Sequence, residues 1–351
     1  MSFLKRQWYA AAWADELVAG KPLSRTYLGE PVLIWRSGDG SLHGLADQCP
    51  HRFAPLSRGQ VDGTGVRCGY HGLKFDGAGY CIDNPHGPIL SSLRVRSYPV
   101  VERHQLLWIW MGPRDESAPG AGDLSTIPDM GFIDQAKTTA ISHGYMYTKA
   151  GHKLLEDNIL DLSHADYLHP DTLGGGSITR SKARLEEQGN TLLVQWLAYH
   201  EIAIPVFRPL LPTPDTITDM WTEVLWHPCG VMTLRTGATA AGRSREEGID
   251  TWNAHIMTPE TEHSTHYFYV NSRNFKVDDA GYNAALAAGL RHAFEHEDKP
   301  MIEAQQARLG DRELFDLQPR LLGIDAGSSR ARHIYARLLA AEVAESSAVT
   351  A

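Results

Sequence analysis

Residues 49–72 read CPHRFAPLSRGQVDGTGVRCGYHG, and the fold of the first third of the chain turns on this stretch. Cys49 and His51 form a C-x-H pair. Sixteen residues later, Cys68 and His71 form a C-x-x-H pair. Two thiolates and two imidazoles on paired short loops can hold a zinc ion or a two-iron cluster. Zinc fingers usually pair Cys with Cys on one loop and His with His on a helix, whereas here each loop supplies one of each. Gly69 and Gly72 flank the second pair, where backbone must come close to a metal. Pro50 and Pro55 stiffen the first loop.

The mixed loops suit a [2Fe–2S] centre of the Rieske type, in which one iron takes both sulfurs and the other both histidines. Such a centre relays electrons and needs an acceptor. Around it, PVLIWRS, GVRCGYH and LLWIWMG read as short strands, punctuated by GDG, VDGTG and DGAG turns. The stretch GPRDESAPGAGDLSTIPDM, residues 112–130, is rich in Gly, Pro, Ser and Asp and reads as a linker. The expected organisation is an all-β domain over residues 1–115, a linker over 116–130 and a second domain over 131–351.

The acceptor candidate follows the linker. HKLLEDNILDLSHADYLH, residues 152–169, carries apolar residues at 154, 155, 159, 162 and 165, which is helical spacing. Asn158, Asp161 and His164 make a polar stripe on that helix. His169 lies five residues beyond His164, which in an ideal helix points it about 140° away. Pro170 disfavours helical geometry at the residue before it, so the helix is expected to end or distort near His169 and turn that ring back. Two histidines and a carboxylate form the facial triad of non-haem Fe(II) oxygenases. Spacing leaves that carboxylate open among Glu295, Glu297, Asp298 and Glu303, although Pro300 should kink their helix. Strands over residues 191–275, then helices at about 280–308 and 330–345, predict an α+β second domain with an antiparallel sheet.

Bulk properties narrow the function. A net charge of -9 argues against non-specific nucleic-acid binding. No apolar run is long enough to cross a bilayer and MSFLKRQWYAAAW lacks a cleavable leader pattern, so a cytoplasmic protein is expected. Four cysteines in 351 residues are too few for a disulfide scaffold, and Cys81 and Cys229 are read as ordinary reduced thiols. His86 and His143 receive no role. No G-x-G-x-x-G follows a strand, which assigns NADH oxidation to another protein. A zinc-stabilised interaction protein would leave Asp161, His164 and His169 without purpose. A one-electron carrier would need no second metal site.

Taken together, WYAAAW, CPHRFAPLS, CGYHGLKFD, DNILDLSHADYLHP, MTPETE, SRNF and EDKPMIEA resemble landmarks of one family over nearly the whole chain. That family is the oxygenase components of Rieske non-haem iron oxygenases, in the group of vanillate O-demethylase, dicamba O-demethylase and toluenesulfonate methyl-monooxygenase. The resemblance implies an N-terminal all-β Rieske domain and a C-terminal helix-grip domain with a mononuclear Fe(II). It makes Asp298 the third iron ligand beside His164 and His169, and puts Asn158 close to the iron. Asp161 becomes a carboxylate bridge between His164 and the cluster ligand His71 of a neighbouring subunit in a head-to-tail homotrimer. The resemblance further implies a separate NAD(P)H-dependent reductase with flavin and a plant-type [2Fe–2S] cluster. Its expected reaction is monooxygenation of an aromatic substrate, foremost O-demethylation of a methoxylated aromatic acid, with aryl-methyl or ring hydroxylation as the alternative.

Pocket positions follow from the same match. His255 falls where dicamba-demethylating members contact the substrate carboxylate; otherwise it is a strand histidine satisfied by backbone. Thr233 stands in place of a carboxylate-binding asparagine and Gly289 in place of a pocket tryptophan, implying a roomier or differently polar cavity. Arg235 is a second candidate for an anionic group, or else a surface strand arginine.

Overall fold

The computed structural model describes residues 3–113, 121–170 and 173–349. The part of the expected linker at 116–120 therefore lies outside the described residues. Two compact units emerge, Met1–Asp129 with Thr258–Thr261 and Glu342–Ala351, and Met130–Met257 with Glu262–Ala341.

In the first unit every strand pairing is antiparallel. Trp8–Trp13 and Val100–Arg103 flank Leu106–Trp110, all five residues of which are buried. A four-stranded sheet joins Leu23–Tyr27, Glu30–Arg36, Leu42–Ala46 and Ser97–Tyr98. A second runs through Gln60–Asp62, Gly65–Arg67, Lys74–Asp76 and Cys81–Asp83. Trp35, Leu45, Leu56, Val66 and Phe75 pack into one core that also takes in Cys49, Cys68 and Cys81. The two loop cysteines thus point inward from a small, stiff, apolar base, which fixes where a cluster can sit.

The second unit is built on a seven-stranded antiparallel sheet. Its order is Ile141–Thr148, Ser264–Arg273, Ile249–Thr261, Val231–Ala240, Ile217–His227, Thr191–Ile202 and Arg184–Gln188. The two edge strands, Ile141–Thr148 and Arg184–Gln188, went unread in the sequence. Arg184–Gln188 is exposed at every residue and offers no apolar alternation to detect. Helices His152–Leu160, Ala280–His292, Lys299–Leu309 and Ala326–Val349 complete the α+β architecture. Among the described residues no helix is long and apolar enough to cross a membrane.

One expectation is corrected. Residues 152–169 are not a single helix but α-helix His152–Leu160, a 3₁₀ turn Leu162–His164 and a short helix Ala165–Leu168. The first break falls at Asp161 (φ -129°, ψ 86°), whose carboxylate accepts a hydrogen bond from the Ser163 amide at 3.1 Å. An aspartate that bonds the backbone two residues ahead competes with helix propagation. The second break is at His169 (φ -123°, ψ 47°), just before Pro170, as the proline requires.

Candidate metal centres

The two loops of the first unit are built alike. Cys49 N donates to Ala54 O and Phe53 N to Cys49 O, both at 2.9 Å. Cys68 N donates to Leu73 O at 2.8 Å and Gly72 N to Cys68 O at 3.1 Å, the same two bonds at the same offsets. Both turns close through a left-handed residue at the same place, Phe53 (φ 59°) and Gly72 (φ 78°). Glycine suits the second loop because a Cβ on Gly72 would come within 3.1 Å of the Pro85 ring.

This geometry separates the ligand types. Both thiols are buried, while the rings of His51 and His71 sit 4.6 Å apart toward the surface. His86, unplaced by sequence, bonds the His71 carbonyl through Nε2 at 2.9 Å. Burial, with Cys68 alongside, pushes the Cys49 thiol up to about 11, so a thiolate here needs a cation. One zinc ion would draw the four ligand atoms to a point. Among the described residues, the only His/Cys/Asp/Glu group with ligand atoms all within 4.8 Å is elsewhere. Sulfurs on one side and imidazoles on the other fit a two-iron cluster better.

That other group is His164, His169 and Asp298. Asp298 Oδ1 lies 3.1 Å from His169 Nε2 and 3.5 Å from His164 Nε2. Each ring is oriented through its far nitrogen. His164 Nδ1 meets the main-chain carbonyl of Asp161 at 2.7 Å, and His169 Nδ1 meets Glu297 Oε2 at 2.6 Å. Partners on both Nδ1 atoms leave both Nε2 atoms directed at one point, the arrangement metal-binding histidines use. Burial would lower the His169 pKa, but Asp298 and Glu297 together carry it above the ordinary value. The group therefore holds an excess of negative charge that a cation would neutralise. Asn158 Nδ2 donates to Asp298 Oδ1 at 3.3 Å, which puts Asn158 beside the group.

The carboxylates come from a distorted helix. Between Ala280–His292 and Lys299–Leu309, residues Ala293–Asp298 form a π-helical turn. The distortion expected at Pro300 thus begins seven residues earlier and ends where the proline starts the next helix. The wider turn lets consecutive residues, Glu297 and Asp298, address the two nitrogens of one imidazole. Such π turns recur at functional sites. Sequence spacing put Glu297 among the possible ligands; the structure gives it to His169 Nδ1 instead. Glu297→Gln is expected to weaken Fe(II) binding about 10- to 100-fold while sulfide content stays unchanged, as read by Fe(II) titration of iron-depleted protein.

One expectation for Asp161 needs correction. Its carboxylate caps Ser163, and the bond to His164 comes from its backbone carbonyl. The tight turn at Asp161 brings that carbonyl, rather than the side chain, against the ring. With Asn158 and His164, Asp161 also borders a cavity of about 420 Å³ that extends to Met301, Phe315 and Arg332.

The group also borders an apolar cavity of about 120 Å³. His164, His169 and Asp298 are part of its lining, and Leu162, Phe207, Leu234 and Phe294 supply much of the wall. Its polar lining is Thr236, Thr251, Asn253, His255, Asn271 and Tyr282. His255 is in the wall. Its Nδ1 bonds the Tyr267 hydroxyl at 2.6 Å, and burial pushes its pKa down to about 4, so the ring is neutral.

Thr233 is absent from this wall. Leu234 and Thr236 line the cavity, so by strand alternation Thr233 points to the opposite face. Helix Ala280–His292 contributes Tyr282, Leu286 and Leu290, and Gly289, seven residues after Tyr282 and so near it on the helix face, has open space where a Cβ would stand. Arg235 is also on the far face, bound to buried Asp250 at 2.6 Å. The sequence reading missed Asn253 and Asn271. Period-two spacing back from His255 selects Asn253 and Thr251; nothing in the sequence marks Asn271.

Residues 7–99 match the Rieske [2Fe-2S] domain and residues 148–341 the vanillate O-demethylase oxygenase C-terminal domain. The oxygenase component of dicamba O-demethylase from Stenotrophomonas maltophilia is 38% identical, covering 94% of this chain and 96% of that protein. The oxygenase component of chloroacetanilide N-alkylformylase from Rhizorhabdus wittichii is 33% identical over 94% of each. The crystal structure of dicamba monooxygenase bound to 3,6-dichlorosalicylic acid superposes with a TM-score of 0.89 at 34% identity, covering 98% of this chain and 100% of that one. Two cysteine–histidine loops, a separate histidine–carboxylate group and these matches have one reading: the chain belongs to the family of Rieske-type oxygenase components with a vanillate O-demethylase C-terminal domain.

Proposed function

We propose that this chain is the terminal oxygenase component of a multicomponent monooxygenase that removes the methyl group of a methoxylated aromatic acid. The observation that carries the reading is the His164, His169 and Asp298 group lining an apolar cavity, in a chain that also carries a Rieske domain. Cys49, His51, Cys68 and His71 would hold the cluster, and His164, His169 and Asp298 a mononuclear Fe(II) with open positions. When bound, these groups supply electron relay and activation of O2.

The chain's own residues do the rest. Glu297 and the Asp161 carbonyl hold the two ligand rings in their metal-binding orientation. The leucine and phenylalanine walls exclude water and receive an aromatic ring. Insertion of one oxygen atom into the methoxyl C–H gives a hemiacetal, which collapses to a phenol and formaldehyde; two electrons and two protons reduce the other atom to water. Those electrons come from a separate NAD(P)H-dependent reductase carrying flavin and a plant-type cluster. A head-to-tail homotrimer would bring one subunit's cluster to the next subunit's iron, with Asp161 between them.

Incubation with NADH, a reductase of this type and methoxylated benzoic acids should yield formaldehyde and phenol in equal amounts. Conversion of an aryl methyl group to its alcohol instead would move the reading to methyl hydroxylation. NADH-dependent reduction of the cluster with no oxygen incorporated into any aromatic would contradict an oxygenase.

His255 is the proposed contact for the acid group. Because the ring is neutral, it would act through a hydrogen bond rather than an ion pair. His255→Ala is expected to raise KM for acids about tenfold, with a smaller change for neutral analogues and little change in kcat. Equal effects on both substrate types would remove His255 from that role.

A further inference from the structure

Resting on the reading of this cavity as the substrate site, we propose that Asn271 determines specificity by accepting a hydrogen bond from an O–H or N–H group on the aromatic ring. The substrate class narrows to aromatic methyl ethers that also bear a hydroxyl or amino group.

The argument starts at a backbone atom. Asn253 Nδ2 donates to the main-chain carbonyl of Leu234 at 3.2 Å and lies 3.3 Å from the Thr251 hydroxyl. A carbonyl can only accept, so the Asn253 amide is fixed with its NH2 toward Leu234 and its oxygen the other way. That oxygen takes a 2.5 Å hydrogen bond from Asn271 Nδ2. The second amide is therefore also fixed, and its oxygen is the end of the chain.

Asn271 lines the cavity and is 5% exposed, and its Oδ1 is buried with no hydrogen-bond partner among the described residues. A buried acceptor left unbonded is costly, and a native exception calls for an explanation. A ring substituent that donates would complete the relay from Leu234 through Asn253 and Asn271. Apart from the His164, His169 and Asp298 group, no charged side chain among the described residues lines this cavity. Recognition there falls to neutral hydrogen bonds. A site built to bond a polar group discriminates strongly against an analogue lacking it, whereas an apolar wall does not.

Equilibrium binding to the anaerobic, iron-loaded holoenzyme tests this without turnover. Three ligands share one methoxybenzoate frame and differ at one ring position: hydroxyl, hydrogen or a second methoxyl. Because the geometry does not name the ring position, the series is run at each free one. At one position the hydroxyl compound should bind at least about tenfold tighter than the other two. Asn271→Leu should abolish that preference while retaining the iron. Equal affinities for the three ligands at every position in the wild type would overturn the inference, and so would a preference that survives in Asn271→Leu. A preference without any demethylation would support it while contradicting the demethylase reading.

Discussion

Asp298→Asn should leave the Rieske cluster in place and strip the mononuclear iron, with turnover falling by more than the roughly 10- to 100-fold typical of residues that only orient a ligand. Asp298 is 4% exposed, and one oxygen faces both His169 Nε2 and His164 Nε2. The amide is nearly isosteric, so the substitution removes charge rather than shape. It takes away the anion that would neutralise the metal and leaves two imidazoles, too few for a facial triad. Iron per chain should drop by about one while acid-labile sulfide is unchanged. Glu303→Gln makes a suitable control, because Glu303 accepts from the Lys149 amide and is no part of the group. Iron retained in Asp298→Asn but lost in the control would transfer the ligand role to another carboxylate.

Asp161→Asn should separate electron delivery from metal binding. Asparagine can still accept from Ser163 N, and the backbone carbonyl that orients His164 is untouched. Both metal sites should therefore fill normally. What is lost is a negative charge on the 420 Å³ cavity beside His164, where the trimer reading brings the His71 N–H of a neighbouring subunit. A carboxylate that already accepts from the Ser163 amide accepts a further imidazole N–H more strongly than a neutral amide does. Turnover is expected to fall about 100-fold at unchanged iron and sulfide. In a single-turnover experiment the defect should appear as slow oxidation of the reduced cluster. Cluster oxidation at the wild-type rate would sink the bridge.

These expectations rest on parts of the site that differ in how far sequence alone reveals them. The cluster loops were readable because four ligands lie within 23 residues of chain, and their glycines and prolines mark the same turns the hydrogen bonds close. His164 and His169 were readable because Pro170 resolves their awkward spacing. Asp298 was not chosen by spacing, since it reaches the histidines through a π turn, and no periodic pattern encodes one extra residue per turn. The Asp161 break was also invisible: its cause is a single side-chain-to-backbone bond within an otherwise regular apolar stripe. Thr233 failed for a different reason. Its place rests on a position match, and a one-residue offset on a strand moves a side chain to the other face. Asn271 depends on a relay across three strands, a relation the linear sequence does not show.

The most direct test of two separate iron sites is iron and acid-labile sulfide per chain, with an absorption spectrum, on anaerobically purified protein. About three irons and two sulfides with a brown Rieske spectrum is the expected result, falling to about two irons in Asp298→Asn. Zinc without sulfide, or a chain that stays at two irons after added Fe(II), would contradict it.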